Sequence, residues 1–130
     1  MTVIDLYKEG DPVIGILAHG DVVPPGSRWS YDPFKTTVVG ENIYGRGTID
    51  DKGAVVTALY AMKYIKDNYP EYSKNIRLLV GSDEERGSAD IEYYKQHETL
   101  PKYVFTPDAD YPVINIEKGR GAGTFTKRIP

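Results

Sequence analysis

Apolar positions in this chain cluster into short runs separated by polar, glycine- and proline-rich segments. Residues 13–18 are continuously apolar, through Val13, Ile14, Ile16 and Leu17. A run that short, bounded by turn residues, predicts a strand buried on both faces. Residues 76–80 predict a second such strand, and 103–105 a shorter one. Residues 2–7, 36–39 and 113–116 also read as strands, with a turn at 8–12 and another at 40–42. The strongest helical periodicity covers 54–69. There Val55, Leu59, Met62 and Ile65 recur at spacings of three and four, and Pro70 lies just beyond the end. A second helix is predicted over 89–98. Residues 119–123 read as a flexible turn, and from Thr124 the chain begins to alternate like a strand. The order of these elements predicts an α/β fold: a mainly parallel mixed sheet flanked by helices.

The polar residues that interrupt this pattern fall in a particular place. The 13–18 run ends in His19 and Asp21, the 76–80 run in Glu84 and Glu85, and the 103–105 run leads to Asp108. Asp50 and Asp51 stand side by side where the long helix begins. Ligands in α/β sheets sit beyond the carboxyl ends of the strands. If these strands lie side by side, one imidazole and several carboxylates converge there. Such donors suit zinc, and also manganese or cobalt. One acid at a helix start is explained as a cap or by the helix dipole; the second asks for another reason, and a cation supplies one. Taken singly, each acid has an ordinary structural explanation. Their shared position after apolar strands does not.

Composition narrows the functional classes. The chain has 130 residues, enough for one modest domain, with a net charge of -3 and no basic run, which argues against nucleic-acid and membrane-surface partners. It has no cysteine, so disulfides and thiolate metal sites are excluded and a reducing cytoplasm is the expected setting. No signal peptide is visible after Met1, and no apolar run is long enough to span a bilayer. A nucleotide-binding reading of Gly45 and Gly47 finds no supporting glycine pattern, and the adjacent acids would repel a phosphate. Arg46 and Lys52 are expected to satisfy carboxylates or carbonyls near the junction. Trp29 is expected to pack its loop, and His97 to be a solvated helix residue.

Four segments in order resemble the M20 zinc peptidases, most nearly their PepV or Xaa-His dipeptidase type. They are Ala18-His19-Gly20-Asp21 with Val22, Val23 and Pro24; Tyr44-Gly45-Arg46-Gly47-Thr48 with Asp50-Asp51-Lys52-Gly53; Asp83-Glu84-Glu85; and Pro107-Asp108-Ala109. The loop from Trp29 to Phe34 and the Glu117-Lys118-Gly119 segment resemble that subgroup too. The resemblance implies a dinuclear metallohydrolase that cleaves the amide bond of dipeptides or small peptides. His19, Asp50 and Asp108 would hold one zinc ion, with Asp50 bridging to a second held by Glu85. Glu84 would be the general base, Asp21 would orient the His19 ring, and the Asp50–Asp51 peptide would be cis. Asp rather than Glu at position 108 resembles the dipeptidase and aminopeptidase members.

Members of that family are much longer. Residues 1–130 are therefore expected to form a partial catalytic domain, without the lid or dimerisation domain and without the C-terminal part that supplies a second metal-binding histidine. One ion in place of two, and reduced or absent turnover, follow as expectations. The alternative is a non-catalytic metal-binding remnant. An incomplete sheet would also expose apolar edges and favour self-association.

Overall fold

The structure, a computed structural model, describes residues 1–6, 10–71, 75–119 and 121–129. Six strands and two helices follow in the order β1 (Thr2–Asp5), β2 (Ile14–His19), β3 (Thr37–Val39), β4 (Asn42–Tyr44), α1 (Lys52–Asn68), β5 (Ile76–Gly81), α2 (Ala89–His97) and β6 (Tyr103–Phe105). A single 3-10 turn, Glu84–Arg86, lies between β5 and α2.

The main sheet has the order β1-β5-β2-β6. β2 is parallel to both β5 and β6, and β1 runs antiparallel on the β5 edge. This is the expected mainly parallel mixed sheet. The two longest apolar runs take its centre because only they can be covered on both faces. Neighbouring side chains on a strand point to opposite faces, and Leu78 and Leu79 are both 0% exposed. On one face Ile16, Ala18, Ile76 and Leu78 pack with Ala58 and Met62 of α1, flanked by Ile4, Leu6, Val55, Ile65 and Val80. On the other, Tyr94 of α2 is buried and its hydroxyl meets Arg77 of β5.

Several expectations change. The buried stripe of α1 passes through Ala58, not Leu59, which stays exposed. The smaller side chain lets the helix sit close to the sheet. β3 does not join the main sheet. It pairs antiparallel with β4, through a two-residue turn in which Gly40 adopts φ +60°. Residues 113–116 and 124–129 form no strand. Val113, Ile114 and Ile116 are exposed, and no ladder receives their backbone groups among the described residues. The predicted strand over 2–7 ends at Asp5; its last residue, Tyr7, lies outside the described residues, as do Lys8 and Glu9 of the turn at 8–12 and Arg120 of the turn at 119–123. Among the described residues no helix is long and apolar enough to cross a membrane.

This topology positions the polar strand ends. His19 stands opposite Gly81 in the β2–β5 register, so β2 and β5 finish together. β6 pairs lower, with Phe105 opposite Ile16, and the following loop carries Asp108 up to the same level.

Candidate metal centre

His19 is the last residue of β2 and is 2% exposed. Its ring nitrogens meet two different surroundings. Nδ1 lies 3.0 Å from the backbone carbonyl of Asp21. Nε2 lies 3.0 Å from Asp50 Oδ1 and 3.4 Å from Asp108 Oδ2. A carbonyl only accepts, so the Asp21 contact assigns the ring hydrogen of the neutral imidazole to Nδ1. The Nε2 lone pair then faces two carboxylate oxygens. Three electron-rich atoms so close repel one another unless a proton or a cation lies among them. Burial opposes a charged ring here. The Asp108 charge, the hydrogen bonds to Asp21 and Asp50 and the Asp51 charge outweigh it and hold the His19 pKa above its ordinary value.

The adjacent acids divide their work across a cis peptide bond. Asp50, with its side chain 59% exposed, faces the His19 ring from solvent. Asp51 is 1% exposed, and its Oδ2 accepts the His19 backbone N–H at 3.0 Å. Asp51 occupies the N-cap position of α1, yet its side chain caps nothing. Burial, with the charges of Asp108 and Asp50, raises its pKa against the lowering effect of the His19 N–H and ring. The helix start is instead held by the turn before it, where the Lys52 N–H donates to the Gly47 carbonyl at 3.0 Å. Gly53 is required by this packing, since a Cβ there would lie 2.6 Å from the Thr48 carbonyl oxygen.

Asp21 supports the other side. Its Oδ1 and Oδ2 accept the backbone N–H groups of Glu84 and Glu85 at 3.3 and 3.2 Å, tying the 3-10 turn to the end of β2. Burial would raise its pKa, but those donors keep it below the ordinary value. It is the Asp21 backbone carbonyl, closer than the carboxylate oxygen at 3.4 Å, that takes the ring hydrogen of His19. Glu84 has its pKa raised, first by burial and then by Glu85, Asp108 and Asp21, with His19 opposing.

Two groups of potential ligand atoms result, each with all members within 4.8 Å: His19, Asp50 and Asp108, and His19, Glu84 and Glu85. One imidazole nitrogen among carboxylate oxygens is a donor set that fits a divalent ion such as zinc, manganese or cobalt. Glu85 is grouped with His19 and Glu84 rather than with Asp50. A cleft of about 800 Å³ lies alongside, lined in part by Asp50, Asp51, Asp108, Phe105 and Tyr111.

The buried tie from Asp51 to His19 escaped sequence reasoning; the pairing of two acids was its only visible sign. His97 is exposed on α2, donates from Nδ1 to the Tyr93 carbonyl at 2.8 Å and stacks on the Tyr93 ring. Trp29 packs its loop as expected, donating from Nε1 to the Pro25 carbonyl at 2.7 Å. Arg46 donates from Nη2 to the same carbonyl at 3.2 Å, whereas Lys52 has no ion pair among the described residues.

The mainly parallel α/β sheet thus gathers one imidazole and several carboxylates at its strand ends, a donor set of the kind that holds divalent ions. Residues 15–129 match peptidase family M20/M25/M40, and the chain belongs to that family. Peptidases of this family are in general metal-dependent. The chain is 50% identical to YtjP of Bacillus subtilis (strain 168) over 113 residues, which cover 87% of this chain and 24% of that protein. It is 47% identical over 114 residues to the Beta-Ala-Xaa dipeptidase of Lactobacillus delbrueckii subsp. lactis, again covering 87% of this chain and 24% of the relative. The chain thus spans about a quarter of the length of these curated relatives.

Proposed function

We propose that these residues form the metal-binding part of a peptidase active site that hydrolyses the amide bond of dipeptides or small peptides. His19, Asp50 and Asp108, which lie together, would hold one divalent ion. A second, held by Asp50 with Glu85, rests on the resemblance to the family, since Glu85 is grouped with His19 and Glu84. Zinc suits these donors best, with manganese and cobalt compatible. The observation that carries the reading is the His19 Nε2 lone pair facing Asp50 Oδ1 and Asp108 Oδ2 at 3.0 and 3.4 Å. The dipeptidase name of the Lactobacillus relative supports a dipeptide as substrate. When bound, such an ion acidifies a water molecule and polarises the scissile carbonyl.

The chain's own residues supply the proton handling and the positioning. Glu84 takes the water proton on its carboxylate and passes it to the leaving amine, a role suited to a carboxyl whose pKa burial and its acidic neighbours raise. Asp21 holds the Glu84 and Glu85 backbone in place, and Asp51 holds His19 from behind. The residues 1–130 correspond in this reading to part of a catalytic domain.

A second reading, metal binding without turnover by these residues alone, draws on one observation: His19 is the single imidazole in the cluster among the described residues. The exposed side chains of β6, a strand at the sheet edge, favour self-association of the chain in either reading.

Zinc content per chain, measured after equilibration on the wild type and on His19→Ala, tests the site. Bound zinc that is lost in His19→Ala supports it, and equal zinc in both proteins removes it. Chelator-sensitive dipeptide hydrolysis by the wild type then separates the peptidase from the binding module.

A further inference from the structure

Across residues 48–53 from the acid cluster lies a second cavity, of about 650 Å³. It shares Thr48, Ile49 and Gly53 with the cleft that holds Asp50 and Asp108. Its character is the reverse of that cleft. Val22, Phe34, Ile43 and Val56 give it apolar walls, and its two charged residues, Arg46 and Lys52, are both cationic.

Neither cation is neutralised. Among the described residues, no carboxylate lies within 4.0 Å of Arg46 or Lys52, although the chain has 19 acidic residues. The Arg46 guanidinium is held in place without being satisfied. Its backbone N–H donates to the Pro33 carbonyl, Nη2 donates to the Pro25 carbonyl at 3.2 Å, and its carbon lies 5.2 Å from the Trp29 ring centroid. Its Nε is buried and has no hydrogen-bond partner. That nitrogen lies out of a ligand's reach, but the Nη groups make only the one hydrogen bond to Pro25, so a fixed, stacked guanidinium keeps donors for a planar anion, and the exposed Lys52 adds a point charge. The walls set the remaining chemistry, since an apolar lining favours a ligand whose anionic group is attached to an apolar body.

We propose that this cavity binds a carboxylate carried by a short apolar group, the C-terminal end of a peptide or the amino acid released from it. That the carboxylate is a peptide end rests on the peptidase reading; that the cavity binds such an anion does not.

Trp29 is the only tryptophan in the chain, so tryptophan emission reports on the surroundings of that one ring, the Arg46 stack among them. The test titrates the full chain, kept metal-free with a chelator, with N-acetyl-leucine and separately with the matching N-acetyl-leucine amide. A saturable change in Trp29 emission with the carboxylate and not with the amide is expected. R46Q and K52Q should each weaken it, R46Q by about tenfold or more, the loss of one charge-assisted contact. Should R46Q fail to fold by circular dichroism, K52Q decides, because its side chain is exposed. No saturable change, equal response to acid and amide, or unaltered binding in K52Q would overturn the proposal. Loss of the zinc site in His19→Ala leaves this titration untouched, so the two readings fail separately.

Discussion

The two ends of β5 carry polar clusters of opposite design. Near its start, Arg77 faces Asp5 across the β1–β5 register and binds it through two contacts, Nε to Oδ1 at 2.7 Å and Nη2 to Oδ2 at 2.8 Å. Arg77 Nη1 donates to the Tyr94 hydroxyl at 2.8 Å, and Glu98 lies 3.8 Å away. The Asp5 and Tyr94 contacts outweigh burial and raise the guanidinium pKa further. Here a cation has its anion, each of its three nitrogens makes a hydrogen bond, and an edge strand is tied to α2. At the other end, beyond Gly81, one imidazole meets Asp50, Asp51 and Asp108, with Glu84 and Glu85 nearby. No lysine or arginine pairs with His19, Asp50, Asp51 or Asp108 among the described residues. A balanced cluster contributes to stability by itself, whereas an anionic excess at a buried strand end is stable only with a cation or a proton. The same sheet therefore has a charge-balanced end and an anionic end, the one proposed here as the functional end.

That contrast breaks most sharply at His19. His19→Ala is expected to lower zinc affinity by about 100-fold or more, because it removes the one nitrogen donor. With zinc at about 100 times the wild-type dissociation constant, the wild type should gain about 2.7 kcal/mol of stability that the variant does not. Thermal melts with and without zinc measure it; an equal gain in both proteins would mean the ion binds elsewhere. At the balanced end the opposite pattern is expected. Arg77→Met leaves Asp5 and the Tyr94 hydroxyl without their donor and should cost about 1–3 kcal/mol, discounted from a fully buried pair because Asp5 is partly solvated. Urea unfolding gives that number. Zinc titration should give the wild-type affinity, and a large change would show that the two ends are coupled.

Asp21 tests how finely the functional end is built. Its carboxylate receives two backbone N–H groups, and an amide oxygen can replace only part of that. Asp21→Asn should therefore weaken zinc binding by about tenfold through the displaced Glu84–Arg86 turn, the usual scale for a residue that supports a ligand. Unchanged affinity by calorimetric titration would mean that the turn holds its place without Asp21.

How much of this was legible beforehand follows the physics of each segment. β2, β5 and α1 were readable because burial on two faces, or on one helix face, imposes a pattern on local sequence. β4 was not, since Asn42, Ile43 and Tyr44 are too few and too exposed to leave one. Residues 113–116 carry strand-like composition, but a strand also needs a partner, and composition does not encode that. Leu59 and Ala58 show the same limit: hydrophobicity favours leucine for the core, while close approach of helix to sheet favours alanine. The residues of the candidate site could be named because they follow apolar strands and match a family's segments. The division of labour between Asp50 and Asp51 could not, because it depends on which side of His19 each carboxylate reaches.

The smallest expected effect bears most directly on the charge imbalance. Asp51 is buried, and its Oδ2 needs only to accept the His19 backbone N–H. Asparagine keeps an acceptor oxygen at that place and removes the charge. If the functional end carries more negative charge than the fold can neutralise, Asp51→Asn should stabilise the metal-free protein, by up to about 1 kcal/mol, because one buried charge and its repulsion with Asp50 and Asp108 disappear. In saturating zinc the gain should shrink or reverse, since the ion draws on that same negative charge. Unfolding curves of both proteins with chelator and with zinc give the two differences. A variant less stable than the wild type in chelator would mean the Asp51 charge is already compensated within the fold, and the contrast between the two ends of β5 would lose its basis.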